Sequence, residues 1–183
     1  MLILVTGGVA SGKSELAENL AVVLNKGKML YIATMQVDDE ESRLRVHKHR
    51  QMREGKKFET MEAPYGLSTY NQEYFAGYDT ALLECLSNLI ANEMFLAGKS
   101  GPETIEEVIT ACKKLTRGIE KLIIVSGTIL GGLKPYDDFT EEYIRVLGRL
   151  NCLIGAQADV VLETVCGIPI IHKGKDLVGR ELA

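Results

Sequence analysis

Gly7-Gly8-Val9-Ala10-Ser11-Gly12-Lys13-Ser14 has the residue types and order needed to hold a polyphosphate. The run fits G-x-x-x-x-G-K-[ST]. Its glycines let successive backbone N–H groups close on phosphate oxygens, Lys13 reaches the β- and γ-phosphates, and Ser14 offers a hydroxyl to Mg²⁺. An ordinary glycine-rich strand-to-helix turn is the alternative, and the Lys-Ser ending weighs against it. A second group lies further on. Arg45, His49 and Arg53 recur at four-residue spacing, so on a helix they fall nearly in line, with Arg50 adjacent and His47 off the line. A histidine among fixed cations resists protonation and stays nucleophilic near neutral pH, while the arginines suit phosphate oxygens. Those properties serve phosphoryl or nucleotidyl transfer; the competing reading is a solvated basic face. The third candidate is Glu84, which closes the apolar run at residues 80–83. P-loop proteins place there a carboxylate that acts on Mg²⁺ directly or through water, although an exposed strand-end cap has the same sequence. No Asn-Lys-x-Asp guanine-reading sequence is present, which argues against a Ras-like switch.

These residues need a scaffold, and the hydropathy pattern describes one. Leu2-Ile3-Leu4-Val5 reads as a buried strand feeding the glycine loop, and residues 15–25 keep helical spacing through Leu16, Leu20, Val23 and Leu24 until Gly27. Residues 29–33 form a second strand. Asp38-Asp39-Glu40-Glu41 then suits a helix N-terminus, and the helix runs to Arg53 with only Leu44, Val46 and Met52 as clear apolar residues. That poor stripe marks it as exposed or functional. The segment 56–67 includes a short strand. Residues 80–83 are a strand ending in Glu84, Leu86 to Met94 keep helical spacing, and Ser100-Gly101-Pro102-Glu103 opens a further helix closed by Gly118. Residues 122–125 are a strand, 126–135 an exposed loop, 143–154 the apolar stripe of a long helix, and 160–165 and 168–171 the last strands. Residues 173–183 read as a frayed tail. Strands alternating with helices predict an α/β fold, a mostly parallel sheet with helices on both faces and right-handed crossovers. Ligands in such sheets bind beyond the carboxyl ends of the strands, which gathers the Gly7 loop, Thr34-Met35-Gln36, Glu84-Cys85 and the Ser126 loop on one rim.

With 183 residues the chain fits one domain, residues 1–183, in which folding buries roughly 70% of the unfolded surface. A net charge of −4 with mixed signs gives no duplex-binding face and no anionic-membrane anchor. The apolar start is too short for a signal peptide or a membrane span, so the expected location is cytoplasmic. Cys85, Cys112, Cys152 and Cys166 form no C-x-x-C pair and sit in apolar patterns, so neither a disulfide framework nor a zinc site is expected.

Assembled in order, these pieces resemble the bifunctional adenosylcobinamide kinase / adenosylcobinamide-phosphate guanylyltransferase family of cobalamin biosynthesis. The resemblance covers about residues 1–170. It is carried by Leu4-Val5-Thr6-Gly7-Gly8 running into Ser11-Gly12-Lys13-Ser14, Tyr31-Ile32-Ala33-Thr34 with Asp38-Asp39-Glu40, Arg45-Val46 before His49-Arg50 and Arg53, and Thr60-Met61-Glu62. Further on come Leu82-Leu83-Glu84-Cys85-Leu86 with Asn88, Gly148 with Asn151, and Ala158-Asp159 before Cys166-Gly167-Ile168-Pro169. The resemblance implies a P-loop NTPase-like (RecA-like) fold. It also implies two reactions: phosphorylation of the aminopropanol hydroxyl of adenosylcobinamide by an NTP, then transfer of GMP from GTP to that phosphate through a GMP-histidine intermediate. Mg²⁺ with GTP or ATP, a corrinoid substrate and a homo-oligomer, a trimer, come with it.

By motif position the histidine is His49, and Lys13 is the other catalytic residue. The nucleotide contacts fall on Gly7, Gly8, Val9, Ala10, Ser11, Gly12, Lys13, Ser14, Ala33, Thr34, Met35, Arg50, Gln51, Met52, Arg53, Glu62 and Glu84. Ser14 is the metal-binding residue. For Glu84 the resemblance implies a nucleotide contact that reads guanine, beside the Mg²⁺ role that P-loop chemistry suggests. The chain departs from the family in two places. Ser126-Gly127-Thr128-Ile129 stands where the family usually has Thr-Asn-Glu-Val, and Ala10 stands where an arginine is common. The competing functions are a P-loop kinase for another small hydroxylated substrate, without guanylyl transfer, and a nucleotide-binding regulator that has lost catalysis.

Overall fold

Leu2, Ile3, Leu4 and Val5 are all buried, so their strand must be covered on both sides. In the computed structural model the described residues are 1–36, 40, 43, 44, 47, 51, 54–128 and 136–178. The strands are β1 (Leu2–Gly7), β2 (Lys28–Ala33), β3 (Phe58–Glu62), β4 (Tyr78–Glu84), β5 (Lys121–Gly127), β6 (Val160–Val165) and β7 (Ile168–Lys173). They make one seven-stranded sheet in the order β3-β2-β4-β5-β1-β6-β7. All neighbours are parallel except β6 and β7, which form an antiparallel hairpin at one edge.

The helices divide the sheet's side chains by parity. Helix α1 (Lys13–Leu24) lays Ala17, Leu20 and Ala21 on the face that carries Ile3, Val5, Leu82, Ile123 and Val125. On the opposite face, α2 (Leu86–Phe95), α3 (Gly101–Gly118) and α4 (Asp138–Gln157) pack Leu89, Leu115, Leu150 and Ile154 against Leu4, Leu83, Leu122 and Ile124. The α3 start behaves as its sequence predicts. Pro102 occupies the first turn, and the Glu103 carboxylate accepts from both the N–H and the hydroxyl of Ser100, at 2.8 and 2.6 Å. Because six strands run parallel, their carboxyl ends share one rim, as the alternation of elements requires.

Three stretches differ from expectation or extend beyond it. Ser126 and Gly127 complete β5 instead of opening a loop, and Ser126 is fully buried. Residues 129–135 of that loop lie outside the described residues. Part of the stretch expected to fray is built into the fold: Gly174 turns the chain back, and the short helix α5 (Lys175–Val178) delivers Val178, fully buried, beside Val160 and Leu162. In the helix expected to end at Arg53, residues Glu40, Arg43, Leu44, His47 and Gln51 are helical and exposed, in line with its missing apolar stripe. Arg45, His49, Arg50, Met52 and Arg53 lie outside the described residues. No helix among the described residues is long and apolar enough to cross a membrane.

Candidate active site

The loop between β1 and α1 closes in a way only glycine permits at its first position. Gly7 has φ +155°, and a Cβ there would stand 2.5 Å from Ser11 Oγ and 2.7 Å from the Thr164 carbonyl. Gly12 has φ +94° and lies against Gly167, whose Cα is 3.4 Å from where a Gly12 Cβ would be. Backbone bonds hold the ring from three sides: Ser11 N to Gly8 O at 3.3 Å, Thr128 N to Gly7 O at 3.2 Å, and Gly167 N to Ser11 O at 2.9 Å. The loop crest, Gly8 to Ala10, is exposed, with Val9 97% accessible. Helix α1 begins at Lys13, so its unpaired N–H groups and positive end point into the loop. Lys13 Nζ donates to the Gly8 carbonyl at 3.0 Å, holding an ammonium across the concavity.

Ser14 Oγ donates to Glu84 Oε1, two strand positions from β1, at 2.9 Å. Glu84 ends β4, and β5 separates β4 from β1, so the carboxylate reaches across one strand to the first turn of α1. A hydroxyl and a carboxylate oxygen at this spacing are hard donors. Such oxygen ligands would suit Mg²⁺, with Ser14 and Glu84 the residues that would hold it. The end of β4 is braced by Thr34, a buried residue whose hydroxyl donates to Cys85 O at 2.8 Å and accepts from Cys85 N at 2.7 Å. Thr34 N also donates to Glu84 O at 3.0 Å. The Cys85 thiol is pushed up to about 11 by burial and by the neighbouring Glu84 charge, so it stays protonated and is not a nucleophile.

The remaining described candidates follow the rim outward. Ala33 pairs in register with Glu84 on one side and with Glu62 on the other, which sets the two glutamates about 10 Å apart, two strand spacings. From Gly7 on β1 to Glu62 on β3 the rim spans four strand spacings, about 19 Å. Gln51 is helical and exposed.

Further side chains shape this rim. Asn92 of α2 donates to both Thr34 O and Pro64 O, at 2.8 and 2.9 Å, tying the β2 and β3 ends together. Ser87 Oγ accepts from Gly127 N at 2.9 Å. Ser126 Oγ donates to Asn151 Oδ1 at 2.6 Å, and Asn151 Nδ2 donates to Gly127 O at 3.2 Å. A carboxamide from α4 thus occupies the end of β5, beside the position where the family usually has asparagine. Asn151 is among the residues that carry the resemblance, whereas the only sequence signal for Asn92 was a polar residue within an apolar helical period.

Solved proteins of low identity share the overall fold. The flagellar accessory protein FlaH from Methanocaldococcus jannaschii matches with a TM-score of 0.52 at 15% identity, covering 94% of this chain and 77% of that one. A DnaB-like replicative helicase, solved with its interactions with primase, matches with a TM-score of 0.53 at 10% identity, covering 88% and 46%. A solved ATPase domain matches with a TM-score of 0.54 at 11% identity, covering 88% and 68%. These likenesses establish the P-loop NTPase fold. The family model for cobinamide kinase / cobinamide phosphate guanyltransferase, CobU, matches residues 3–171. The chain belongs to this family. Within the cobinamide kinase / guanyltransferase family, the bifunctional adenosylcobalamin biosynthesis protein CobU of Salmonella typhimurium is 32% identical over 184 residues, covering 93% of this chain and 98% of the relative. The protein of that name in Escherichia coli is 30% identical over the same shares, and CobP of Pseudomonas aeruginosa is 31% identical over 95% and 98%. The resemblance drawn from scattered motifs therefore holds along nearly the whole chain.

Proposed function

We propose that this chain is a bifunctional enzyme that phosphorylates the aminopropanol hydroxyl of adenosylcobinamide with an NTP and then transfers GMP from GTP to the resulting phosphate. The observation that carries the reading is the complete phosphate cradle, with Lys13 across it and Ser14 on Glu84, in a chain that matches this family from residue 3 to 171. In the kinase step the loop N–H groups and Lys13 hold the β- and γ-phosphates, and the substrate hydroxyl takes the γ-phosphoryl group as NDP leaves. Ser14 and Glu84 are the residues that would hold Mg²⁺, which when bound neutralises phosphate charge. In the guanylyl step a neutral imidazole nitrogen of His49 attacks the α-phosphorus of GTP and pyrophosphate leaves. The phosphoramidate then passes GMP to the corrinoid phosphate, regenerating histidine. Arg45, Arg50 and Arg53 are assigned to the charge that develops on the phosphate oxygens. Of the two roles open to Glu84, the bond from Ser14 favours the metal, leaving Glu62 as the reader of guanine's N1–H and 2-amino donors. We place the enzyme in the cytoplasm as one nucleotide-binding domain in a homotrimer, the last being measurable by light scattering.

Label from α-³²P GTP should remain on denatured protein while γ-label does not, and the bond should be acid-labile and alkali-stable, as a phosphoramidate is. His49→Ala should abolish the label and His47→Ala should keep most of it. Label surviving in both variants removes the nucleophile from this helix. Cobinamide and cobinamide phosphate, assayed separately with ATP and GTP, separate the bifunctional enzyme from a kinase alone and from a regulator. A second reading has its own observation: Gly127 and Thr128 take the places of an amide and a carboxylate, and the nearby Asn151 amide is already bonded to Ser126 and Gly127. A chain impaired in phosphorylation would guanylylate supplied cobinamide phosphate while leaving cobinamide untouched.

A further inference from the structure

Above the rim stands a pair of aromatic rings that the fold does not cover. Phe95, the last residue of α2, and Phe139, in the first turn of α4, stack with centroids 5.1 Å apart at 30°, yet they remain 49% and 58% exposed. Leu96, also 49% exposed, continues the apolar surface. Tyr143, one turn below Phe139, contacts Phe95 at 6.1 Å and joins the pair to the core. This surface is fastened to the phosphate cradle through a short path. Tyr143 Oη donates to Ser87 O at 3.2 Å, Ser87 Oγ accepts from Gly127 N, and the next residue, Thr128, donates to Gly7 O.

Two half-exposed stacked rings beside a site form a platform for a broad partner with apolar surface. The start of α4 beside them is acidic, and the Arg145 guanidinium further along the helix is paired with Glu142. Asp138 and Glu141 share the first turn of α4 with Phe139, and both are exposed. A corrin is a broad macrocycle whose rim alternates methyl groups with carboxamide arms, and its alkylcobalt(III) complex is a cation. Its reacting hydroxyl hangs at the end of a flexible arm, so the ring must rest beside the phosphate site and not in it. We propose that the Phe95–Phe139 pair, with the acidic start of α4, is the docking surface for the corrin ring of the substrate. This rests on the corrinoid reading above, and it adds a site for which no motif in the chain gives a signal.

The test is equilibrium dialysis of cobinamide, followed by its own visible absorbance, with the parent, Phe139→Ala and Phe95→Ala/Phe139→Ala, each run beside corrinoid-free labelling by α-³²P GTP. Both rings are half exposed, so the fold should tolerate their loss, and Phe139→Trp serves as the conservative control. The expected result is at least fivefold weaker cobinamide binding in Phe139→Ala, a larger loss in the double variant, near-parental binding in Phe139→Trp, and unchanged protein labelling. Unchanged cobinamide binding in the double variant overturns the proposal. So does a changed subunit count at unchanged binding, which would make the pair a contact between copies. Loss of labelling along with binding also overturns it, because the rings would then serve the nucleotide site. A parent that binds cobinamide through this pair but transfers nothing to it keeps the docking surface and refutes the bifunctional activity instead.

Discussion

At 2.9 Å from Ser14 Oγ, the Glu84 carboxylate sits at the phosphate end of the cradle, while Glu62 stands two strands further out. One side chain has difficulty serving both the metal and the base, so the two glutamates should separate in their kinetics. Glu84→Gln is expected to raise the Mg²⁺ concentration needed for half-maximal labelling by about 10- to 100-fold, with little change in the GTP/ATP preference. Glu62→Gln should do the reverse, narrowing the preference at an unchanged Mg²⁺ requirement. A Mg²⁺ titration of α-³²P labelling with each nucleotide reads both effects, and a shift in preference for Glu84→Gln alone would return that residue to the guanine. The cradle was fully legible in the sequence because its chemistry is local: a strand, a glycine loop and a helix start lie within the first 14 residues. The bond between Ser14 and Glu84 was legible only as a loop-end hydroxyl and a strand-end carboxylate expected on one rim.

Elements explain what the motifs omit. The β6–β7 turn braces the phosphate loop through Gly167 N to Ser11 O and through the approach of Gly12 to Gly167, two contacts between segments far apart in sequence. Gly167 has φ +80°, and a Cβ there would meet nothing within 4 Å, so Gly167→Ala introduces backbone strain without a clash, costing about 1 kcal/mol. Its expected signature is a severalfold weaker Mg-GTP affinity by calorimetry with a nearly parental melt. Parental affinity would reduce the turn to a plain hairpin. At the opposite end of the strands, Asp79 of β4 accepts from Lys121 Nζ at 2.8 Å and from Lys26 N at 2.8 Å. Burial works against its ionisation, but the Lys121 ammonium and the bonds from Lys26 and Thr80 outweigh it and hold the carboxyl below its usual range. A depressed carboxylate stabilises the fold above the unfolded value near 4 and loses that contribution as pH falls through the native one. Asp79→Asn should therefore lower stability by about 1 kcal/mol at pH 7, and the gap to the parent should close as melts are run from pH 4 downward. Such ties are invisible to periodicity, which reports the face a residue occupies and not the strand it meets.

For the whole molecule, the alternation of short apolar runs with helical stripes was enough to describe an α/β sheet, because strands buried on both faces read as unbroken hydrophobic runs. The strand order that places Glu84 across β5 from the loop depends on crossovers between distant elements, and the pattern did not determine it. The end of the chain shows the same limit. Residues 173–183 have few apolar positions, yet one of those described, Val178, is fully buried beside Val160 and Leu162, while its neighbour Leu177 is 51% exposed. Among the described residues, Val178 adds a buried side chain to the close packing of Gly174 on Asp159 and Val160, and so short a segment has too brief a periodicity to register. Removing two methyl groups from that site should leave a cavity against β6, so Val178→Ala is expected to lower stability by about 2 kcal/mol. Leu177→Ala should fall within about 0.5 kcal/mol of the parent, as exposed substitutions do. Urea unfolding of the two variants compares adjacent residues with opposite burial. Equal midpoints would mean that α5 does not hold to the sheet in solution, and that the chain frays from Gly174 onward as its composition first suggested.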